Sequence, residues 1–303
     1  MPISQKIMGV SRGGVSKKAI FGYGYSDASL STTNLVSNIG VVSADTTGVG
    51  TSRQGLASAG YGTDKAIFGY GGTSTSIVSV VNMTNLVSNT GVVSSDTAGV
   101  GTSRLELAAA GYGTDKAIFG YGNGGGSIRS LTNLVSNSGV VSADTTGVGS
   151  VRRTLAAAGY GTDKAIFGFG RYFGYFSMTN LVSNTGVVSA DTTDIGTARF
   201  GLAAAGYGTD KAIFGYGDSG INQSITNLVS STGVVSSDTT GVGTARGYLA
   251  AAGYGTDKAI FGYGNSGINQ SITNLVSSTG VVSSDTTGVG TARISLAASS
   301  YGS

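Results

Sequence analysis

The sequence contains no cysteine, no histidine and no tryptophan, and it has a single proline among its 303 residues. Without cysteine there is no disulfide and no thiolate, and without histidine the most common general base is missing. Charged residues make up only 11% of the chain, the net charge is +3, and the basic residues form no cluster. These absences argue against an enzyme, against a cofactor and against a nucleic-acid partner.

Long apolar runs are also absent. No segment is long enough to span a bilayer, and the first ten residues lack the apolar stretch of a signal peptide. We therefore expect no membrane partner and no export by the general secretory route.

Glycine, in contrast, is abundant, with 53 residues, and it recurs in register. The phrase Lys-Ala-Ile-Phe-Gly-Tyr-Gly begins six times, with Phe169 replacing the tyrosine in one copy, at Lys18, Lys65, Lys116, Lys164, Lys211 and Lys258. Successive lysines are 47, 51, 48, 47 and 47 residues apart. Such a repeat decides the architecture before any other signal does. We predict one repeat domain over residues 17–303, preceded by an arm or degenerate strand over residues 1–16.

Each repeat contains four candidate strands. In residues 246–293 these are an alanine-rich strand, the Lys258 strand, Thr-Asn-Leu-Val-Ser and Gly-Val-Val-Ser. In the second strand, alternation predicts that Ala66, Phe68 and Tyr70 share one face and that Ile67 lies on the other. Both faces of the strand have bulky side chains, so the strand should be buried on both sides. The glycines should lie where a neighbouring backbone approaches closely or where the strand bends.

Four short strands in about 47 residues, joined by glycine-rich turns, are typical of a propeller blade. The arginine before the alanine-rich strand, the glycine-rich second strand and the two outer strands resemble kelch repeats. Gly-Tyr-Gly replaces the paired glycines of that family, and its outer-strand tryptophan is absent. The resemblance implies an all-β, six-bladed propeller of four-stranded antiparallel blades. A last copy of the inner strand, residues 296–302, should close the first blade.

The near-identical sequences of the repeats also resemble repeat proteins of environmental bacteriophages.

Two series of aspartates recur at fixed positions of the repeat and are candidates for a chemical role. One precedes each strand lysine and consists of Asp64, Asp115, Asp163, Asp210 and Asp257. We interpret it as a turn residue of the Asx type. The other lies eight residues before each repeat arginine and consists of Asp45, Asp96, Asp144, Asp191, Asp238 and Asp285. Its carboxylates could hold Ca²⁺, but the spacing favours structural capping or pairing with the arginines.

The copies differ mainly in two places, the loop after the second strand and the two residues after each repeat arginine. Strand alternation places both at the same end of the repeats, so variation confined to that end indicates a binding face. The candidate ligand-binding residues are Arg171, Tyr172, Phe173, Tyr175, Phe200, Tyr248, Arg153 and Glu106. Exposed aromatic rings with an arginine supply rigid contact area for sugars or proteins.

These observations favour a non-enzymatic recognition module. The phage resemblance implies a virion or tail-associated protein that binds a host surface glycan or protein, or other virion proteins. Its location would be the virion or the cytoplasm. The alternative is a purely structural or oligomerising module, and a hydrolase or lyase comes third because the usual catalytic side chains are missing.

Overall fold

The computed structural model describes residues 16–76 and 78–302, and within them every regular element is a β-strand. Each repeat supplies a first, a middle and a third strand to one antiparallel sheet. The predicted N-terminal arm lies outside the described residues, apart from Ser16. The all-β repeat prediction is confirmed at the level of six three-stranded sheets.

The strand bounds follow the repeat. The first strands are Ala57–Tyr61 (β3), Ala108–Tyr112 (β6), Ala156–Tyr160 (β11), Ala203–Tyr207 (β14), Ala250–Tyr254 (β17) and Ala297–Tyr301 (β20). The middle strands are Lys18–Tyr25 (β1), Lys65–Gly69 (β4), Lys116–Gly120 (β7), Lys164–Gly168 (β12), Lys211–Gly215 (β15) and Lys258–Gly262 (β18). The third strands are Ser29–Val36 (β2), Thr84–Val87 (β5), Thr132–Val135 (β10), Thr179–Val182 (β13), Thr226–Val229 (β16) and Thr273–Val276 (β19). A small hairpin, Asn123–Gly124 (β8) with Ser127–Ile128 (β9), lies in one loop.

The sheets are numbered 1 to 6 by their middle strands. Sheet 1 has the order β2-β1-β20, so the C-terminal strand completes the sheet that the N-terminal strands begin. The register pairs Lys18 with Tyr301 and Gly22 with Ala297. The first strands of the six sheets contact one another in a closed cycle, β3, β6, β11, β14, β17, β20 and back to β3.

The segment predicted as a fourth strand is less regular than expected. It joins the third strand only through isolated bridges, such as Val276 with Val282 and Thr273 with Thr286. The Ser283 hydroxyl accepts a hydrogen bond from the Leu275 N–H at 3.0 Å, and the Leu275 carbonyl accepts one from the Ser283 N–H at 2.8 Å. Side-chain bonding of this kind competes with a regular ladder, which leaves three named strands per sheet.

The core is distributed between the sheets. Six clusters of buried side chains each lie between two consecutive sheets, and the last joins sheet 6 to sheet 1. In every cluster the middle-strand phenylalanine contacts the aromatic ring of the preceding repeat, with centroids 5.1–5.2 Å apart. A cluster is therefore shared by two repeats and belongs to neither alone.

One face assignment made from the sequence is wrong. Tyr70 packs with Ile67 in the cluster toward sheet 3, whereas Ala66 and Phe68 pack toward sheet 1. The strand ends at Gly69, and Tyr70 has a left-handed φ of 65°, as does the equivalent aromatic in all six repeats. That backbone turn moves the ring to the other face. The following Gly71 is required, because a Cβ there would lie 2.8 Å from the Gln54 carbonyl oxygen.

Six fully buried arginines also join neighbouring sheets: Arg53, Arg104, Arg152, Arg199, Arg246 and Arg293. Arg53 stacks on the Tyr23 ring of sheet 1, with its Cζ 4.7 Å from the centroid, and donates to the Asn85 amide oxygen of sheet 2. The other five repeat this arrangement, with stacking distances of 4.3–4.6 Å. A buried guanidinium needs such partners, because unpaired charge is costly away from water.

Candidate binding surface

Both variable segments lie at one end of each sheet. The loop after a middle strand pairs through backbone bridges with the residue after a repeat arginine. The six pairs are Tyr25 with Ile294, Gln54 with Gly72, Leu105 with Asn123, Arg153 with Arg171, Phe200 with Asp218 and Gly247 with Asn265. We call this the variable end. The opposite end, where Gly-Thr-Asp turns join first and middle strands, is the uniform end.

Each end carries a closed circle of backbone hydrogen bonds between the sheets. At the variable end, each N–H donates to the carbonyl of the equivalent residue one repeat earlier at 2.6–2.9 Å, through Gly55, Glu106, Thr154, Gly201, Tyr248 and Ser295. We call this the variable belt. At the uniform end, the donors are the turn glycines and the acceptors are the carbonyls of Asp64, Asp115, Asp163, Asp210, Asp257 and Lys17, at 2.7–2.8 Å. This second circle is the uniform belt.

The variable belt tolerates different side chains at one backbone conformation. Its six residues have φ between 51° and 61°, although four of them are not glycine. Beneath them a ring of six buried leucines surrounds a small space of about 70 Å³. The belt therefore holds its backbone fixed while its side chains are free to vary.

The fourth repeat provides the most exposed aromatic surface. Phe173 is 91% exposed and Tyr172 is 42% exposed, and their ring centroids lie 4.0 Å apart. The loop is held by a bond from the Tyr172 N–H to the Gly174 carbonyl at 3.0 Å. These two predicted residues are exposed side by side, and packing in the core does not explain their presence.

Three other predicted residues pack around the Phe200 ring. Phe200 is 5% exposed and has three neighbours. The Arg171 guanidinium carbon lies 4.2 Å from its ring centroid, Tyr175 lies at 5.1 Å and Tyr248 at 5.9 Å, centroid to centroid. Phe200 is thus a buried platform for the others, which differs from the exposed contact residue that the sequence suggested.

The remaining two predicted residues contact each other. Arg153 donates from Nη1 to Glu106 Oε2, and the Arg153 backbone exchanges two hydrogen bonds with Arg171. Burial raises the pKa of Tyr248. The positive charge of Arg171 lowers this pKa, and the negative charge of Glu106 raises it. All eight predicted residues therefore lie at the variable end. Contacts or backbone pairing link six of them, and Tyr172 and Phe173 form a separate stacked pair in the Arg171 loop.

The Asp96 series has the structural role that the sequence favoured, which is pairing with the repeat arginines. Asp96 lies 3.5 Å from Arg53, which precedes the first strand of the same sheet, and Asp45 lies 3.7 Å from Arg293. Burial tends to raise the pKa of Asp96. Hydrogen bonds from Thr51 and Asn85 and the charge of Arg53 outweigh it, so the net shift is downward. The carboxylate oxygens are already occupied by protein donors. Among the described residues, no group of three acidic side chains is placed to hold a metal ion.

The uniform end contains a cavity that the sequence analysis did not single out. It measures about 270 Å³ and is lined by tyrosines, threonines and six lysines, Lys17, Lys65, Lys116, Lys164, Lys211 and Lys258. Five of the lysines lie 3.0–3.6 Å from the aspartate that precedes them. The Asp64 series thus stands in the turns, as predicted, and balances most of the lysine charge. The lysine that begins each middle strand could have indicated five of the six lining lysines, and Lys17 takes this place in the first sheet.

No protein-family model matches this sequence, and no curated protein matches it. In the part of the chain that the structure describes, no helix has the length and apolar character to cross a membrane.

Proposed function

We propose that the chain is a six-bladed, kelch-like β-propeller and that it acts as a non-enzymatic recognition module. The closed cycle of first strands, the two hydrogen-bond belts and the pairing of β20 with β1 support the ring. The bridged segment after each third strand supplies an outer fourth strand to the blade. Closing the ring in this way leaves the β1 edge paired.

The proposed activity is binding of a surface glycan or protein at the variable end. One observation carries it: sequence variation is concentrated where the eight predicted side chains meet, while the opposite end repeats almost unchanged. Two exposed rings beside a cation offer contact area to a ligand and little stability to the fold. The sequence offers no histidine or cysteine for catalysis, so binding is favoured over turnover.

The proposed setting is a bacteriophage particle that binds a host surface. This rests on the resemblance of the repeats to phage repeat proteins. Detection of the protein in purified particles by mass spectrometry would support it, and genes for unrelated cellular enzymes on both sides of the coding sequence would count against it.

The binding proposal can be tested with matched double variants at the two ends. Tyr172→Ser with Phe173→Ser should abolish retention on immobilised host-cell envelopes and leave the melting temperature nearly unchanged. The control is Val92→Ser with Val140→Ser, which removes two valines, each 66% exposed, from the uniform end. Retention that survives the first pair would overturn the proposed binding end.

A structural or oligomerising function is the alternative, and the same valines favour it. Six equivalent valines at the uniform end are 60–66% exposed: Val41, Val92, Val140, Val187, Val234 and Val281. A repeated apolar surface of this kind suits association with another protein surface. On this alternative, light scattering after size exclusion would show an oligomer in the parent protein and a monomer in the valine variant.

A further inference from the structure

Arg171 differs in its surroundings from the six repeat arginines. The six repeat arginines stack on aromatic rings too, but each also donates to an asparagine and faces an aspartate. Arg171 lies over Phe200 without such partners. In residues 16–76 and 78–302, no carboxylate lies within 4 Å of it. Its Nε is buried without a hydrogen bond, as are the Nε atoms of Arg53, Arg104 and Arg152.

The position itself is variable, which makes the cation specific to one repeat. The residues equivalent to Arg171 in the other loops are Tyr25, Gly72, Asn123, Asp218 and Asn265. The loop could therefore hold its backbone bridge with a neutral or acidic residue. Neither nearby acid forms an ion pair with Arg171: Glu106 pairs with Arg153, and Asp218 accepts from the Gly220 N–H at 2.6 Å.

A planar guanidinium held on a ring is prepared to donate to a ligand carboxylate. Arginine binds carboxylates through two parallel N–H bonds, and stacking on Phe200 limits the orientations that it must give up on binding. The exposed Tyr172 and Phe173 rings lie in the same loop and offer apolar faces to the C–H groups of a sugar ring. Flat aromatic area beside a cation thus fits a ligand that combines a sugar ring with a negative charge.

We infer that the Arg171–Phe200 pair, with Tyr172 and Phe173, binds a carboxylate-bearing sugar residue of an acidic polysaccharide. This inference rests on the proposed recognition function and specifies its ligand class. Arg171 donates to the sugar carboxylate, and the two exposed rings contact the sugar faces. Neutral glycans would lack the group that Arg171 requires.

The test uses oligogalacturonate and its carboxyl-reduced counterpart, which share a sugar backbone and differ in charge. Titration calorimetry with the full chain should show binding of the acidic form, weakened about 10- to 100-fold in Arg171→Gln, as expected for loss of a bidentate charged contact. The matched control is Arg129→Gln, which removes the same charge from the exposed loop of the third repeat and should change the affinity less than twofold.

The outcomes separate the inference from the function on which it rests. Equal binding of both oligosaccharides, unaffected by Arg171→Gln, would overturn the acidic ligand and leave glycan recognition intact. Equal losses in Arg171→Gln and Arg129→Gln would overturn the site in favour of general charge attraction. No binding of either probe, together with envelope retention that resists Tyr172→Ser and Phe173→Ser, would overturn both.

Discussion

The uniform belt and the variable belt connect the same six sheets with the same number of backbone hydrogen bonds. At the uniform end the donors are all glycines, and Gly113 is typical: a Cβ there would lie 2.9 Å from the Asn184 carbonyl oxygen. At the variable end the equivalent positions include Glu106, Thr154, Tyr248 and Ser295. Both belts have left-handed φ values, so the space available for a side chain is what distinguishes them. One end is thus held to a fixed sequence by packing, and the other can change.

Removing residues 294–303 should have the largest effect, because it interrupts both belts at once. The deletion takes away β20 and the links through Ser295 and Gly302, and it leaves the buried Arg293 as the last residue of the chain. It also exposes the hydrogen-bonding edge of β1, a site for aggregation. We expect soluble aggregate, or a melting temperature lowered by more than about 10 °C. A calorimetric transition unchanged from that of the full chain would mean that neither belt depends on β20.

A substitution in a buried cluster measures how much the packing between neighbouring sheets contributes to stability. Phe214 is fully buried and contacts Phe169 of the preceding repeat, with centroids 5.1 Å apart. Phe214→Ala should cost about 3–5 kcal/mol in the free energy of unfolding. Because the cluster is shared, chemical denaturation should remain a single transition for the whole chain. A cost below about 1 kcal/mol would contradict the burial on which both belts depend.

A matched glycine pair tests the comparison directly. Gly113→Ala in the uniform belt and Gly55→Ala in the variable belt impose the same left-handed strain, since their φ values are 59° and 60°. A Cβ at Gly55 has its nearest neighbour at 3.3 Å, against the carbonyl oxygen at 2.9 Å for Gly113. We expect Gly113→Ala to be the more destabilising by about 1–3 kcal/mol in urea titrations. Equal effects would show that space does not distinguish the two ends.

The smallest expected effect is the pH dependence of stability that arises from the buried tyrosines. Burial raises the pKa of Tyr23, Tyr70, Tyr121, Tyr216 and Tyr263 to about 12. The folded state therefore retains phenol protons that the unfolded chain loses above its ordinary pKa of 10.0. Stability should be full below pH 10 and should fall as the pH rises through 12.

Tyr216→Phe isolates one of these groups, and the fourth repeat already carries Phe169 at this position. The variant loses the hydrogen bond from the hydroxyl to the Val242 carbonyl at 3.1 Å, so it should cost about 0.5–1.5 kcal/mol at pH 7. At pH 11 the cost should shrink, since the unfolded variant has one phenol fewer to ionise. A cost that grows with pH in urea titrations at pH 7 and 11 would contradict the raised pKa.

The candidate surface could be anticipated because antiparallel strands alternate direction. That rule assigns the loop after a middle strand and the link before a first strand to one end, and the backbone bridges place them there. The partners within the surface could not be anticipated. Phe200 and Arg171 are 29 residues apart in sequence and stack only because neighbouring sheets pack. Asp96 pairs with Arg53, which precedes the first strand of its own sheet, rather than with Arg104, which follows it by eight residues.

The sequence by itself determined the repeat, the strand order within each repeat, the positions of the turns and the division between constant and variable residues. These are local properties, set by side-chain periodicity and by glycine. The tertiary structure alone decided which face Tyr70 occupies, how regular the fourth segment is, which arginine each aspartate meets and how the ends are joined. Those outcomes depend on torsion angles and on residues that are far apart in sequence, and the local side-chain pattern does not contain them.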